Sequence, residues 1–400
     1  MKSTFYIIKR LLSGIFPQLF GEKTEMFLNF EGFIKDVQYK AFLTEELPEY
    51  TFEEFNINQV GTSGKIILPN GEFAFSKWVS PKRTRSYPFE RLYNTFNSPA
   101  RLTVIPVLKD EGIDGDLDRI QYSTVSWMNL LNVYIVLAYY DKAVKNIRPL
   151  QLARNKITNQ EFNVNSVNDQ ILKISQYKQS ALHWNRTLIE DNFVNIYKQA
   201  LDSYENISTL TNVRMHDKSV QEQYLATIMR DFLNFKDISL RGSKGASLRE
   251  IHTSHGYEYL SDGMKATFTI ENYLGGTYYL TADEVIQEEN TYIIQESKNS
   301  TKGFLPGLSD IKDGLFKLIL YSNLHTLSLD SKSVNFRSRL KLTGKKVKGF
   351  LSMPASEEEV NRFLEENKGS YSTREAEIIY NLNLESSNNQ KLEIQVSSNK

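Results

Sequence analysis

"TADEVIQEENTYIIQESKNSTKG", residues 281–303, contains two runs of strand-like alternation that end in acidic residues and one lysine. Strand propensity disfavours Asp283, Glu296 and Lys298 at such positions, so their presence there needs a reason. Alternation over 277–286 and 291–298 predicts two strands, and Glu289-Asn290 between them predicts a two-residue hairpin tip. Antiparallel pairing about that tip sets 288 opposite 291, 286 opposite 293 and 283 opposite 296. Opposed residues share one side of a sheet with Cβ atoms about 5 Å apart. Lys298, two residues beyond Glu296, lies on that side as well, whereas Gln295 falls on the other face, where a structural role is expected.

Two carboxylates held side by side repel each other and raise one pKa unless a cation sits between them. A divalent ion removes the conflict. Hard oxygen donors suit Mg²⁺, which binds one or two protein carboxylates together with substrate phosphate oxygens. Such an ion polarises a phosphodiester and acidifies bound water, and a neighbouring lysine can orient that water and offset developing charge. Hydrolysis of a nucleic-acid backbone is the chemistry expected of Asp283, Glu296 and Lys298. The alternative is a solvated hairpin whose charges are ordinary surface residues.

These residues resemble the PD-(D/E)XK nuclease superfamily, the fold of many type II restriction endonucleases. Asp283 matches the first acidic position, and "ESK" at 296–298 matches the acidic, any, lysine element on the next strand. Ala282 stands where the family name has proline. The pattern acidic, any, lysine occurs four times, at 296, 310, 330 and 366, but only the copy at 296 follows an apolar strand with an acid set against it. The resemblance spans roughly residues 215–345. It implies Mg²⁺ held by Asp283 and Glu296, a water assisted by Lys298, double-stranded DNA as substrate, and a homodimer if both strands of a palindrome are cut. A glutamate from an upstream helix often joins such sites, and Glu222 and Glu250 are the candidates. A helix and another strand are implied after the lysine. "SDIKDGLFKLILYSNL" supplies the first, with Ser309 as N-cap and an apolar stripe through Ile311, Leu315, Leu318 and Ile319, and "VNFRSRLKL" the second. A repair or recombination nuclease of the same fold, or a non-catalytic nucleic-acid-binding protein, are the rival functions.

The fold class expected is α/β (α+β), with a mixed-sheet, restriction-endonuclease-like core at 215–350. Residues 1–150 read as an α/β region that helps recognise DNA, 151–214 as a helical connector, and 351–400 as a C-terminal helix and polar tail. In the first part, "GKIILPNGEFAFSKWV" predicts a hairpin around Asn70-Gly71. "RLTVIPVLKDEG" and "NVYIVLAYYDK" flank a helical segment, which predicts a strand, helix, strand unit with parallel internal strands. Asp116 or Asp118 is expected to start that helix. From 166 to 205 a long amphipathic helical pattern is expected to bend or break, and Ser219 with Glu222 predicts a capping box for the next helix. The last fifteen residues are polar and are expected to be loose.

Forty-eight basic and 48 acidic residues cancel, so a polyanion must be met by local basic patches. Two such patches are evident. Lys82, Arg83 and Arg85 lie among aromatic residues in "SKWVSPKRTRSYPFERLYN", and Arg337, Arg339 and Lys341 share one face of the strand after the core helix, with Lys345, Lys346 and Lys348 beyond. Both are candidate phosphate contacts. The chain has no cysteine, which excludes disulfides, thiolate zinc sites and cysteine nucleophiles and leads to the expectation of a cytoplasmic protein. Lys9 and Arg10 interrupt the apolar start, so no export signal is expected. The apolar run 127–140 is too short to span a membrane. "RGSKGAS" at 241–247 lacks the Walker spacing, and His252 with His255 lacks a third zinc ligand.

Overall fold

The structure is a computed structural model that describes residues 28–82, 87–147, 155–229 and 264–399. In chain order the first part holds β1 (Leu28–Ile34), β2 (Glu49–Thr51), β3 (Ser63–Leu68), β4 (Gly71–Lys77), α1 (Pro88–Asn94), β5 (Arg101–Pro106), β6 (Leu108–Asp110), β7 (Leu117–Arg119), α2 (Tyr122–Leu130), β8 (Tyr134–Ala138), β9 (Tyr140–Lys145) and β10 (Ile157–Phe162). A helical stretch follows: α3 (Val164–Ser175), α4 (Ala181–Thr187), one π-helical turn (Leu188–Asn192), α5 (Phe193–Thr211) and α6 (Lys218–Met229). The rest comprises β11 (Met264–Asn272), β12 (Thr277–Glu288), β13 (Thr291–Ser300), α7 (Leu308–Ser322), β14 (Leu324–Leu329), β15 (Lys332–Ser333), β16 (Asn335–Gly344), β17 (Phe350–Met353), α8 (Glu357–Glu366), α9 (Thr373–Asn388) and β18 (Leu392–Ser398). The architecture is mixed α/β, with mixed sheets.

Strands β2, β3, β4, β5 and β8 form a five-stranded sheet in that order. The β3–β4 hairpin turns at Pro69-Asn70, with Leu68 opposite Gly71, one residue earlier than the Asn70-Gly71 tip expected. β5 and β8 are parallel neighbours joined through α2, as their uninterrupted apolar sequences require. Gln121, not Asp116 or Asp118, is the N-cap of α2; Asp118 lies on β7 and accepts a hydrogen bond from the Ser80 hydroxyl at 2.9 Å. The apolar run 127–140 is divided between the end of α2 and β8 and is core. The helical stretch breaks as expected: the Asn163 and Ser180 side chains cap α3 and α4, and the π-helical turn joins α4 to α5. Asp217 precedes α6 and accepts the Ser219 N–H at 2.9 Å, taking the capping task assigned to Ser219.

The larger sheet has nine strands in the order β15-β14-β1-β11-β12-β13-β16-β18-β17. The hairpin predicted at its centre is present. Glu288 pairs with Thr291 and Ile286 with Ile293, and Glu289 at the tip takes a φ of 51°. β11, β12 and β13 form an antiparallel meander, and β16 lies parallel to β13. A feature without a sequence signature interrupts β12: Met264 faces Val285 but Ala266 faces Ala282, so residues 283 and 284 together oppose Lys265. Such a bulge bends its strand and increases the local twist. The sheet curls far enough that Phe30 on β1 meets Tyr292 on β13 edge-on, ring centres 5.3 Å apart.

The sheet also exceeds the 215–350 span. β1 comes from the first part, and β18 is inserted between β16 and β17, parallel to the first and antiparallel to the second. Residues 392–398 are therefore not loose. Leu392, Ile394 and Val396 alternate with polar neighbours and are buried, a period of two that the polar composition masks.

Helix α7 packs across β13 and β16 and joins both parts of the molecule. Ile311, Leu315, Leu318 and Ile319 are fully buried. Phe316 stacks on Phe89 of α1 at 5.4 Å and lies 5.3 Å from Trp127 of α2, so one apolar core runs between the two sheets. Gly307 is the N-cap of α7, without a side-chain bond, in place of Ser309. Among the described residues no helix is long and apolar enough to cross a membrane.

Candidate functional site

Glu296 and Lys298 project from β13 on the same side, toward α7, beside Leu340 and Leu342 of the parallel strand β16. Glu296 is 2% exposed. Its burial between sheet and helix depends on Gly314. A Cβ there would lie 2.9 Å from Leu340 Cδ1, 3.2 Å from Lys298 Cε and 3.5 Å from Glu296 Cγ. The bare backbone lets the helix approach the strand at the point where the two charged stems emerge. Gly314→Val should therefore cost about 2–3 kcal/mol of stability, through overpacking against Leu340 and the Lys298 stem. Urea denaturation measures it; a variant as stable as the wild type would show that this contact is loose.

Two residues of α7 complete the cluster, and sequence reasoning missed both. Lys317 Nζ stands 2.9 Å and Lys298 Nζ 3.0 Å from the same oxygen, Oε1 of Glu296. Asp313, one helical turn before Lys317, places Oδ2 3.9 Å from Lys298 Nζ. Burial pushes the Asp313 carboxyl up to about 6, against the lowering influence of Lys298 and Lys317. The signal available for these residues was their spacing of four on the helix that the sequence already placed over the strand.

At the rim, Asp310 receives a hydrogen bond from the phenol of Tyr87, whose pKa is raised chiefly by that carboxylate; Asp313 and Lys298 also act on the phenol electrostatically. Tyr87 is half-exposed and ends the basic segment around Lys82. Tyr87 and the carboxylate–ammonium cluster thus meet, although more than 200 residues separate them in the chain. Lys82 is exposed; Arg83 and Arg85 lie outside the described residues.

The expected partner of Glu296 is placed by backbone alone. Asp283 sits in the bulge of β12, and the β12–β13 ladder runs from Glu288–Thr291 to Glu284–Gln295, one step short of 283 and 296. The Asp283 side chain lies outside the described residues, as do Glu250, His252, His255 and the loop 241–247. Glu222 is exposed on α6, in a hollow with Lys198 and Asp202 of α5. Among the described residues no group of three or more metal-ligating side chains is gathered. Glu296 and Asp313 nonetheless offer two hard carboxylates within reach of one ammonium, a donor set that fits an ion such as Mg²⁺, which takes its remaining ligands from water and substrate.

The second basic patch occupies the reverse face of the sheet. Arg339 pairs with Gln295 across the β13–β16 ladder and Lys341 with Ser297, both on the side away from Glu296. Arg337 is exposed and Lys341 half-buried, but Arg339 is buried and committed to Glu288 at 2.8 Å and Glu393 at 3.0 Å. Its guanidinium ties three strands together, a task incompatible with following a phosphate backbone, and sequence reasoning missed this because both carboxylates arrive from distant strands. Gln295, as expected, is structural, donating to Glu284 Oε2 at 2.7 Å.

No family model, curated protein or solved structure matches the chain.

Proposed function

We propose that the chain is a magnesium-dependent DNA endonuclease similar to type II restriction enzymes. The observation that carries this reading is the meeting of Glu296, Lys298 and Asp313 beneath α7 with the end of a basic segment at Tyr87. A phosphodiester needs cations to bring the backbone in and oxygen donors to hold a metal against it; Lys298 and Lys317 beside the buried Glu296 and the partly buried Asp313 supply both types. Asp283 and Glu296 are the expected metal ligands, with Asp313 within reach. The ion would polarise the phosphodiester and acidify its bound water. Lys298 orients that water and offsets charge as it develops on phosphate oxygens. Lys82, Arg83 and Arg85 contact the backbone, with Arg337 and Lys341 open to a second stretch of duplex. The substrate is double-stranded DNA, and a homodimer would cut both strands.

The test is plasmid DNA incubated with purified protein and Mg²⁺. Discrete fragments are expected. Nicking without sequence preference would favour a repair or recombination nuclease, and binding without cleavage would overturn the catalytic reading and leave Glu296 as an internal ion pair.

A further inference from the structure

We propose that Lys317 is the resident counter-ion of the metal site and must withdraw before a divalent ion enters. The inference rests on the nuclease reading and concerns how that site is controlled. Two ammonium groups converge on a single carboxylate oxygen, Glu296 Oε1, at 2.9 and 3.0 Å. That oxygen belongs to a residue 2% exposed, where an isolated anion would be costly, and the two lysines neutralise it. An incoming divalent ion would coordinate the same carboxylate. It also meets two positive charges already there, so one has to leave.

The two lysines are not equivalent. Lys298 is held beneath the helix: its side chain is 19% exposed, and Cε lies where a side chain on Gly314 would otherwise be. Lys317 projects from α7 with its side chain 32% exposed, against 19% for Lys298. A long, unbranched stem rooted on the helix surface can carry its ammonium back to water without moving backbone. Lys317 is therefore the group displaced, and Lys298 stays as the lysine of the chemistry. In this arrangement Lys317 is a positioning residue that keeps Glu296 in place when metal is scarce and raises the concentration at which the site fills.

Titration calorimetry with Mn²⁺ alone, without DNA, separates the possibilities. Lys317→Met should bind Mn²⁺ about 10- to 100-fold more tightly than the wild type, the equivalent of one charge-assisted hydrogen bond no longer displaced. Lys317→Arg, which keeps the charge, should bind no more tightly than wild type. Circular dichroism of each protein establishes that it is folded. If the wild type binds Mn²⁺ and Lys317→Met binds it equally or more weakly, the counter-ion role is wrong while the metal site stands. If no folded protein binds Mn²⁺, the nuclease reading itself fails and the inference goes with it.

Discussion

Lys298→Met protein should retain its fold and lose magnesium-dependent DNA cleavage by about 10²- to 10³-fold, the usual consequence of removing one preorganised group that stabilises a transition state. The fold is expected to survive because Glu296 keeps the Lys317 ammonium at 2.9 Å, and methionine fills most of the volume of the lysine stem. No buried charge is left bare, which is the event that makes removal of one partner from a buried ion pair so destabilising. Single-turnover cleavage reads the loss, and the urea midpoint reads the fold. Undiminished cleavage by a folded variant would take Lys298 out of the chemistry and reduce the cluster under α7 to a structural ion pair.

The second large effect lies away from the site, at Glu385 on α9. This carboxylate is fully buried and accepts hydrogen bonds from the Tyr39 hydroxyl at 2.5 Å, the Phe42 amide at 2.6 Å and the Tyr93 hydroxyl at 2.9 Å. It fastens the segment after β1 to the C-terminal helices. Glu385→Ala would leave one buried and two partly buried donors without an acceptor and should cost about 3–5 kcal/mol. Burial pushes the carboxyl up to about 7, from an ordinary 4.5, against the lowering effect of its donors. A native pKa above the unfolded one means that the folded state holds the proton longer. The associated stability is fully present below pH 4.5 and is lost as the pH rises through about 7, some 3 kcal/mol in all. Glu385→Gln cannot titrate. Urea denaturation of both proteins at pH 4.5 and pH 7.5 should therefore show the wild type declining by about that amount relative to the variant; parallel pH profiles would show that Glu385 titrates normally in the fold.

The central hairpin was legible because its signals are local. Glu289-Asn290 supplies the turn, alternation supplies the strands, and together they fix the register. Helix α7 was equally plain from Ile311, Leu315, Leu318 and Ile319. What could not be read depends on partners distant in the chain. The bulge at 283–284 arises from unequal pairing with β11 and leaves the alternation of β12 unchanged. Arg339 looked like a cation on an open strand face, since nothing near it in sequence reveals Glu288 and Glu393 closing on it. Lys317 and Asp313 are a different case: their spacing is visible in the helix, but their approach to Glu296 and Lys298 depends on the close packing at Gly314, which no local pattern reveals. Over the last fifteen residues, serine, asparagine and lysine outnumber the apolar residues and hide the buried strand β18.

That last strand bears on synthesis. β16, which supports the strand carrying Glu296 and Lys298, is paired on its outer edge by residues 392–398. Until these emerge from the ribosome, β16 offers a row of unmet amide and carbonyl groups, and the nascent protein has an open flank beside its candidate catalytic strand. The strand beside β13 is thus closed on its far edge only once residues 392–398 have paired with it.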